Sequence, residues 1–206
     1  MKSLTNKLRN GTYLKSKRLV TVTVRLLLPS FKRSIPFIFI SLSHFRLITI
    51  IGSINSTVAV CGLPEPNRHH ALVMCRFANF CRTQMKKVTS DLEAMLGPGT
   101  ADLSLRTGLH SGPTTAGVLR GEKARFQLFG DTVNTAARME STSLPNKIQV
   151  SQATAASLIE HGKASWLHER ADPVNAKGKG VLRTYFVNPT SRKTSATIST
   201  AGTDDS

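Results

Sequence analysis

The spacing of apolar and polar positions changes several times along this chain, and each change marks a predicted element. Residues 20–24 and 102–109 alternate, as half-buried strands do, and residues 57–64 form a short apolar strand that ends at a proline. Residues 69–96 predict one long helix that ends at Gly97. Its predicted apolar stripe consists of Leu72, Phe77, Phe80, Met85, Val88, Leu92 and Leu96. Pro113 interrupts the second alternating run, so we expect a separate strand over residues 115–119.

The second half of the chain repeats this alternation of strands and helices. Residues 126–129 predict a strand, and a turn then leads into a helix over residues 132–141 that the Asp131 carboxylate is expected to cap. Ser151 is expected to cap a further helix that extends to about residue 160. The remaining predicted strands are residues 147–150, 166–169 and 181–187.

Two polar residues on the helix over residues 132–141 suggest a binding site. Asn134 and Arg138 are four positions apart, which places them on one face, while Val133, Ala136, Ala137 and Glu140 fall on another side. An amide and a guanidinium near a helix N-terminus suit a polyphosphate ligand. The same spacing is typical of a solvated helix face, so the residues alone leave both interpretations open.

Composition narrows the possible partners. The chain has 206 residues, of which 40% are hydrophobic, so it can bury a core. The net charge of +16 is concentrated before Glu65, the first acidic residue, and the basic residues lack interleaved aromatics. We therefore expect no nucleic-acid partner.

The three cysteines and the pair His69–His70 show no metal-binding spacing. An odd cysteine count argues against a disulfide framework, which indicates a reducing, intracellular setting.

The chain divides by composition into three parts. Residues 1–56 form a basic, apolar leader, residues 57–189 form the folded part, and residues 190–206 form a disordered tail rich in serine and threonine. Residues 35–54 are apolar but include His44 and Arg46, and a central arginine is costly in a membrane. We therefore interpret the leader as either a membrane-associated or a non-native segment.

Several motifs follow one another in a fixed order. They are Gly-Leu-His-Ser-Gly-Pro at 108–113, Ala-Gly-Val-Leu at 116–119, Leu-Phe-Gly-Asp-Thr-Val-Asn-Thr-Ala-Ala-Arg-Met-Glu-Ser at 128–141, and Lys-Gly-Lys-Gly at 177–180 before Thr-Tyr-Phe at 184–186. Together they closely resemble the C-terminal two thirds of a class III nucleotidyl cyclase catalytic domain, the guanylate and adenylate cyclase family. The resemblance covers residues 57–189. It implies an α+β, ferredoxin-like nucleotidyl cyclase fold that is N-terminally incomplete.

The resemblance also implies an activity and a set of catalytic residues. Family members convert a purine nucleoside triphosphate into its 3′,5′-cyclic monophosphate and pyrophosphate, and are therefore phosphorus–oxygen lyases in intracellular signalling. Asn134 matches the residue that orients the ribose, and Arg138 matches the residue that stabilises charge on the α-phosphate. Lys177 matches the lysine that holds the terminal phosphates.

Residues of the preceding strand match the family's nucleotide-binding stretch, namely Gln127, Leu128 and Phe129. Gln127 occupies the position that reads the purine edge. Its amide can both donate and accept a hydrogen bond, so GTP and ATP both remain candidate substrates.

The metal positions depart from the family pattern. The family uses Mg²⁺ or Mn²⁺ held by two aspartates, one in a first-strand motif that this sequence lacks. The second falls at Asn55, or at Ser53 in a gapped alignment, and neither supplies the carboxylate that magnesium prefers. We therefore expect no metal-binding residues in this chain.

The resemblance implies an active site shared between two cyclase domains. We therefore expect a second cyclase domain as partner, in a homo- or heterodimer, and we expect activity to need an intact partner domain that supplies the metal aspartates. The alternative interpretation is a catalytically inactive nucleotide-binding or dimerisation module, or a truncated fragment of a cyclase. Family members often sit in membrane receptors, so we expect either a membrane-associated protein with a cytosolic catalytic domain or a cytoplasmic one.

Overall fold

The computed structural model describes residues 14–27, 48–53, 56–63, 66–97, 100, 102–119, 125–176 and 180–189. Within these ranges strands and helices alternate, as predicted for an α+β fold. The elements are β1 (Leu14–Leu27), β2 (Ile48–Ser53), β3 (Ser56–Cys61), α1 (His70–Leu96), β4 (Ser104–Leu119), β5 (Arg125–Phe129), α2 (Asp131–Ser141), β6 (Ile148–Ser151), α3 (Gln152–Glu160), β7 (Leu167–Glu169), β8 (Val174–Ala176), β9 (Gly180–Leu182) and β10 (Thr184–Val187).

Eight of the described strands form one sheet in the order β2-β3-β1-β4-β6-β10-β7, with β5 also paired to β4. The β4–β6 pair is parallel, and the other pairs in this sheet are antiparallel. β8 and β9 form a separate two-stranded sheet. The predicted strand over residues 181–187 is therefore two strands, β9 and β10, which belong to different sheets.

The centre of the large sheet is occupied by β1, a strand from the N-terminal segment. It pairs with β3 from Val20 to Arg25 and with β4 from Leu14 to Leu27. The alternating run at residues 20–24 thus lies within a strand, as predicted. We expected the folded part of the chain to begin at residue 57, but β1 and β2 both precede that residue. The expected N-terminal incompleteness therefore does not leave the centre of the sheet empty, because a strand with a different sequence fills it.

β4 continues through Pro113, which we had expected to separate two strands. Its ladder with β1 shifts register between Ser16 and Leu19, and the neighbouring pairs are Thr114 with Ser16 and Gly112 with Leu19. The irregularity therefore lies opposite Pro113, where the proline has no N–H to donate. A β-bulge on the partner strand allows one long strand to form where the sequence predicted two.

Helices cover both faces of the sheet. On one face, Leu105 and Leu109 of β4 join a core with residues of α1 and α3, including Met74 and Leu158. On the other face, a smaller cluster contains Val60, Leu63, Ala116 and Leu128, against which Val133 of α2 packs. α2 therefore lies on the opposite face from α1 and α3.

The long helix has the predicted bounds but buries a slightly different stripe. Met74, Cys75, Ala78 and Cys81 are buried in the core, together with the predicted Phe77. The other described members of the predicted stripe are half-buried, namely Leu72, Phe80, Met85, Val88 and Leu92. Four of the five buried positions carry small or flexible side chains, which fill a close-packed core without large voids.

The three cysteines are core residues. Cys61, Cys75 and Cys81 are free and buried. Burial raises the pKa of the Cys61 thiol to about 11, and those of Cys75 and Cys81 to about 12. At neutral pH these thiols stay protonated, so they act as small apolar side chains rather than as nucleophiles.

α2 is held to β4 by a close backbone contact and an ion pair. A Cβ atom at Gly108 would lie 2.0 Å from the backbone nitrogen of Glu140 and 2.5 Å from the carbonyl carbon of Met139. Two residues earlier on β4, the Nε of Arg106 lies 3.1 Å from Oε1 of Glu140, whose side chain is 5% exposed. Only glycine allows the helix to come this close.

The C-terminal end of α2 is held by Arg170, which follows β7. Its Nη1 donates to the carbonyl oxygen of Thr142, the residue that ends α2, at 2.6 Å, and to Oε1 of Gln149 at 2.8 Å. The guanidinium also lies over the ring of Phe186, 5.6 Å from its centroid. A cation at the C-terminal end of a helix satisfies an otherwise unpaired carbonyl and complements the helix dipole.

We predict that Gly108→Ala lowers the free energy of unfolding by about 3 kcal/mol or more, because the new methyl group meets backbone atoms that cannot rotate away. Denaturant unfolding of the two proteins measures this. Gly162→Ala is the control: its Cβ meets nothing within 4 Å, and its φ of +69° imposes only backbone strain of about 1–2 kcal/mol. Equal costs in the two variants would contradict the close contact.

We predict that Arg170→Gln lowers the free energy of unfolding by about 2–3 kcal/mol, because charged hydrogen bonds to a helix end are lost. Arg183→Gln is the matched control, since Arg183 forms an exposed ion pair with Glu169 at 2.7 Å. Water screens that pair, so this change should leave the thermal midpoint nearly unaltered. A midpoint that falls equally in both variants would refute the role of Arg170.

Candidate functional site

The candidate site is built on the β5–turn–α2 segment. α2 begins at Asp131 and is preceded by Gly130, which has a φ of 125°. Asp131 was predicted to cap this helix from outside, whereas it lies in the first turn itself, where its negative charge still suits the helix N-terminus. The prediction was one residue off because Gly130 takes up a conformation open to glycine but strained for other residues.

Polar side chains fix the start of α2 on the sheet. The Thr132 hydroxyl donates to the carbonyl oxygen of Pro113 at 2.5 Å, and the Thr135 hydroxyl donates to the carbonyl oxygen of Asp131 at 2.9 Å. Both threonines are buried. They share the buried face of α2 with Ala136, Met139 and Glu140.

The buried face of α2 covers only part of the side on which the sequence placed Val133, Ala136, Ala137 and Glu140. Ala136 and Glu140 are buried, whereas Val133 and Ala137 are half-buried. The helix is turned so that Thr132 faces the sheet. A sequence pattern that counts threonine as polar misses this orientation, because these hydroxyls are satisfied by backbone carbonyls.

Asn134 and Arg138 are both exposed and lie on the same face of α2, as their spacing predicted. Their helix is fixed at its start by Thr132, in its last turn by Glu140, and at its C-terminal end by Arg170. The Asn134 amide and the Arg138 guanidinium therefore project from a helix whose orientation on the sheet is fixed by contacts of its buried side. This arrangement can present fixed hydrogen-bond donors to a phosphate-bearing ligand.

The three nucleotide-binding candidates on β5 differ in exposure. Gln127 is exposed, Leu128 is buried in the smaller core cluster, and Phe129 is half-buried. Gln127 pairs with Gly117 of β4, so a residue without a side chain lies beside it in the sheet. Of the three, Gln127 is the side chain that can meet a ligand directly, while Leu128 contributes to packing.

Lys177 lies outside the described residues. The strands before and after it are paired, with Ala176 opposite Gly180 and Asn175 opposite Val181.

Of the two candidate positions for the second metal aspartate, the structure describes Ser53. Ser53 ends β2 and pairs with Ser56 of β3, which pairs in turn with Arg25 of β1. Asn55 lies outside the described residues. Throughout the part of the chain that the structure describes, no three or more His, Cys, Asp or Glu side chains are grouped to hold a metal ion.

Arg106, Glu140 and Arg170 support the site and were not identified from the sequence. Arg106 and Glu140 are 34 positions apart, and Arg170 and Thr142 are 28 positions apart. Neither pair has a local spacing that a single sequence reveals. The one available signal was that Glu140 falls on the same side of the helix as Val133 and Ala136, because a carboxylate on an apolar side requires a charged or hydrogen-bonded partner.

No helix among the described residues is long and apolar enough to cross a membrane. The last part of the apolar segment at residues 35–54 forms β2, and residues 35–47 lie outside the described ranges.

Comparisons of sequence and of structure with known proteins point to the same family. Residues 37–189 match the family model of the adenylate and guanylate cyclase catalytic domain, so the match begins before residue 57. The human guanylate cyclase soluble subunit beta-2 is 40% identical over 131 residues, covering 63% of this chain and 20% of that protein. The receptor-type guanylate cyclase gcy-28 of Caenorhabditis elegans is 36% identical over 144 residues, covering 70% of this chain and 11% of that protein.

A solved structure shares the fold over nearly its whole length. The guanylate cyclase domain of RhGC from Catenaria anguillulae, in complex with GTP, superposes with a TM-score of 0.65 at 26% identity. The superposition covers 87% of this chain and 99% of that domain. The chain thus spans a fifth or less of the two curated relatives above but nearly all of an isolated cyclase domain. It belongs to the adenylate and guanylate cyclase catalytic domain family.

Proposed function

We propose that this chain supplies the nucleotide-positioning half of a cyclase active site. The reaction is conversion of a purine nucleoside triphosphate into its 3′,5′-cyclic monophosphate and pyrophosphate. The observation that carries the proposal is the exposure of Asn134 and Arg138 on one face of α2, while the opposite face is tied to β4 through Gly108 and Glu140.

In this reaction the 3′-oxygen of the ribose forms a bond to the α-phosphorus. The bond between the α-phosphorus and the oxygen that bridges it to the β-phosphorus breaks. The 3′-hydroxyl loses its proton, and pyrophosphate leaves. Such transfers depend on positioning and fixed charge more than on covalent help from the protein. We assign ribose orientation to Asn134, stabilisation of charge on the α-phosphate to Arg138, and contact with the terminal phosphates to Lys177.

The family uses divalent metal ions, but the residues of this chain do not fit them. No aspartate or glutamate occurs before Glu65, and the second metal position holds Asn55 or, in the gapped alignment, Ser53. An amide or a hydroxyl group lacks the negative charge of the carboxylate that Mg²⁺ prefers. We therefore propose that an intact cyclase domain with a different sequence provides the metal-binding aspartates in a heterodimer, because two copies of this chain would both lack them.

The exposed amide of Gln127 can pair with either purine, because it both donates and accepts. The relatives described above are named as guanylate cyclases, and the solved domain contains GTP. We propose GTP as the substrate, with ATP as the alternative that a direct comparison of the two nucleotides would reveal.

We propose that residues 57–189, together with β1 and β2, act as one catalytic domain in the cytoplasm, and that residues 190–206 form a tail. Residues 48–53 form β2 within the sheet and are therefore not available to a membrane. The remaining apolar residues, 35–47, are fewer than the roughly 20 that a membrane helix needs.

A second candidate function is a catalytically inactive module that binds nucleotide or pairs with another cyclase domain. The lack of any carboxylate before Glu65 favours it. The two functions differ in one observable. The first requires cyclic nucleotide to form when an intact partner domain is present, whereas the second requires triphosphate binding without turnover.

The test is co-expression with an intact partner cyclase domain whose own arginine equivalent to Arg138 has been removed, so that this chain must complete the site. We predict that cyclic nucleotide forms with the wild-type chain and falls by about 100-fold or more with Arg138→Ala, because one fixed donor to the developing charge is lost. Chromatography coupled to mass spectrometry measures the product.

Arg76→Ala is the matched control, since Arg76 is an exposed arginine on α1, on the other side of the sheet. Its removal should leave product formation unchanged. Equal product from the wild-type and Arg138→Ala chains would contradict the proposed role. If the wild-type chain binds triphosphate but neither it nor Arg138→Ala forms product with the partner domain, the inactive module would be favoured.

A further inference from the structure

Two histidines that are distant in sequence meet on the surface away from α2. His69 immediately precedes α1, and His161 immediately follows α3. We propose that His69 and His161 together bind one divalent transition-metal ion of the zinc, nickel or copper class. The site is independent of the proposed nucleotide site, because α1 and α3 cover the opposite face of the sheet from α2.

The ring geometry suits a shared ion. The two ring centroids are 5.0 Å apart, and the ring planes are inclined by 70°. Two imidazoles that bind one tetrahedral ion with metal–nitrogen distances of about 2.0–2.1 Å have centroids roughly 5 Å apart. The observed centroid separation therefore matches that of two rings on one ion. The rings are in T-shaped contact, so the exposed His69 ring has to rotate about its side-chain bonds to bring a nitrogen to the shared ion.

His161 is already held as metal-binding histidines usually are. Its Nδ1 lies 2.7 Å from the carbonyl oxygen of Ser157. A carbonyl only accepts hydrogen bonds, so Nδ1 carries the proton in the neutral ring and Nε2 keeps a free lone pair. A backbone carbonyl on the second ring nitrogen fixes the tautomer and the orientation of a metal-binding histidine.

The backbones that carry the two rings are fixed as well. The N–H of His69 donates to Oδ1 of Asn67 at 2.8 Å, and its carbonyl accepts from the N–H of Val73 at 2.9 Å. The N–H of His161 donates to the carbonyl oxygen of Ser157 at 3.3 Å. The backbone positions from which the two rings project therefore have little freedom to lose on binding, which favours affinity.

The chemistry of the pair selects the class of ion. Neutral imidazole nitrogens suit zinc, nickel and copper, whereas magnesium prefers oxygen ligands. His69 is exposed and His161 is half-buried, so an ion can enter from solvent and complete its coordination with water. This site therefore differs in ion class from the magnesium or manganese that the cyclase family uses.

An ion bound by both rings would join the start of α1 to the end of α3. The unfolded chain does not hold these residues together, so the ion binds the folded state preferentially and stabilises it. The thermal midpoint of unfolding should therefore rise with ion concentration. Magnesium should produce no such rise.

The test is calorimetric titration of the full chain with ZnCl₂ and with NiCl₂, alongside thermal unfolding at each concentration. We expect one ion per chain and a higher midpoint. His69→Ala and His161→Ala should each weaken binding by at least about tenfold, since each removes one of two protein ligands. His168→Ala is the matched control, because His168 is an exposed histidine on β7, and it should bind like the wild type.

Metal-free unfolding of each variant separates lost binding from lost folding. If His161→Ala lowers the metal-free midpoint, His69→Ala decides the outcome, because the His69 side chain is exposed. The proposal is overturned if the wild-type chain does not bind either ion, or if His69→Ala binds as tightly as the wild type. One ion per two chains, or loss of binding in His168→Ala, would overturn it too.

Discussion

The backbone of β4 at Gly108 approaches the backbone of α2 so closely that no side chain fits between them. This contact fixes the distance of α2 from the sheet, the Glu140 ion pair fixes its rotation, and Arg170 fixes its C-terminal end. Asn134 and Arg138 project from the opposite side. Catalysis of phosphoryl transfer depends on charges that are in place before the reaction begins, so a helix fixed in this way is a suitable support.

The proposed function separates the fold of the family from its metal chemistry. β1 pairs along both sides through backbone hydrogen bonds, which any alternating strand can form. Filling the centre of the sheet therefore does not require the family's first-strand motif. Binding magnesium depends instead on carboxylate ligands, one of which the family's motif is expected to supply. We therefore propose that this chain keeps the cyclase architecture and the α2 surface without its own metal ligands.

Local patterns in the sequence were enough to predict some elements but not others. Residues 69–96, the exposed pair Asn134 and Arg138, and the Ser151 cap of α3 could be predicted, because each depends on neighbours within one or two helical turns. The insertion of β1, the contacts of Arg170 and the meeting of His69 with His161 could not. Each of these joins segments far apart in the chain, and a single sequence carries no signal for such pairings.

The central claim is that this chain holds the nucleotide-positioning half of a cyclase site without the metal-binding half. The most direct test is a cyclase assay on the purified, cooperatively folding chain alone, with Mg²⁺ or Mn²⁺ and with GTP or ATP. We predict that no cyclic nucleotide forms above the level of a protein-free control. Substantial turnover by the chain alone would contradict the claim. It would require a metal site in this chain, although no carboxylate occurs before Glu65, where the family's metal aspartates are expected.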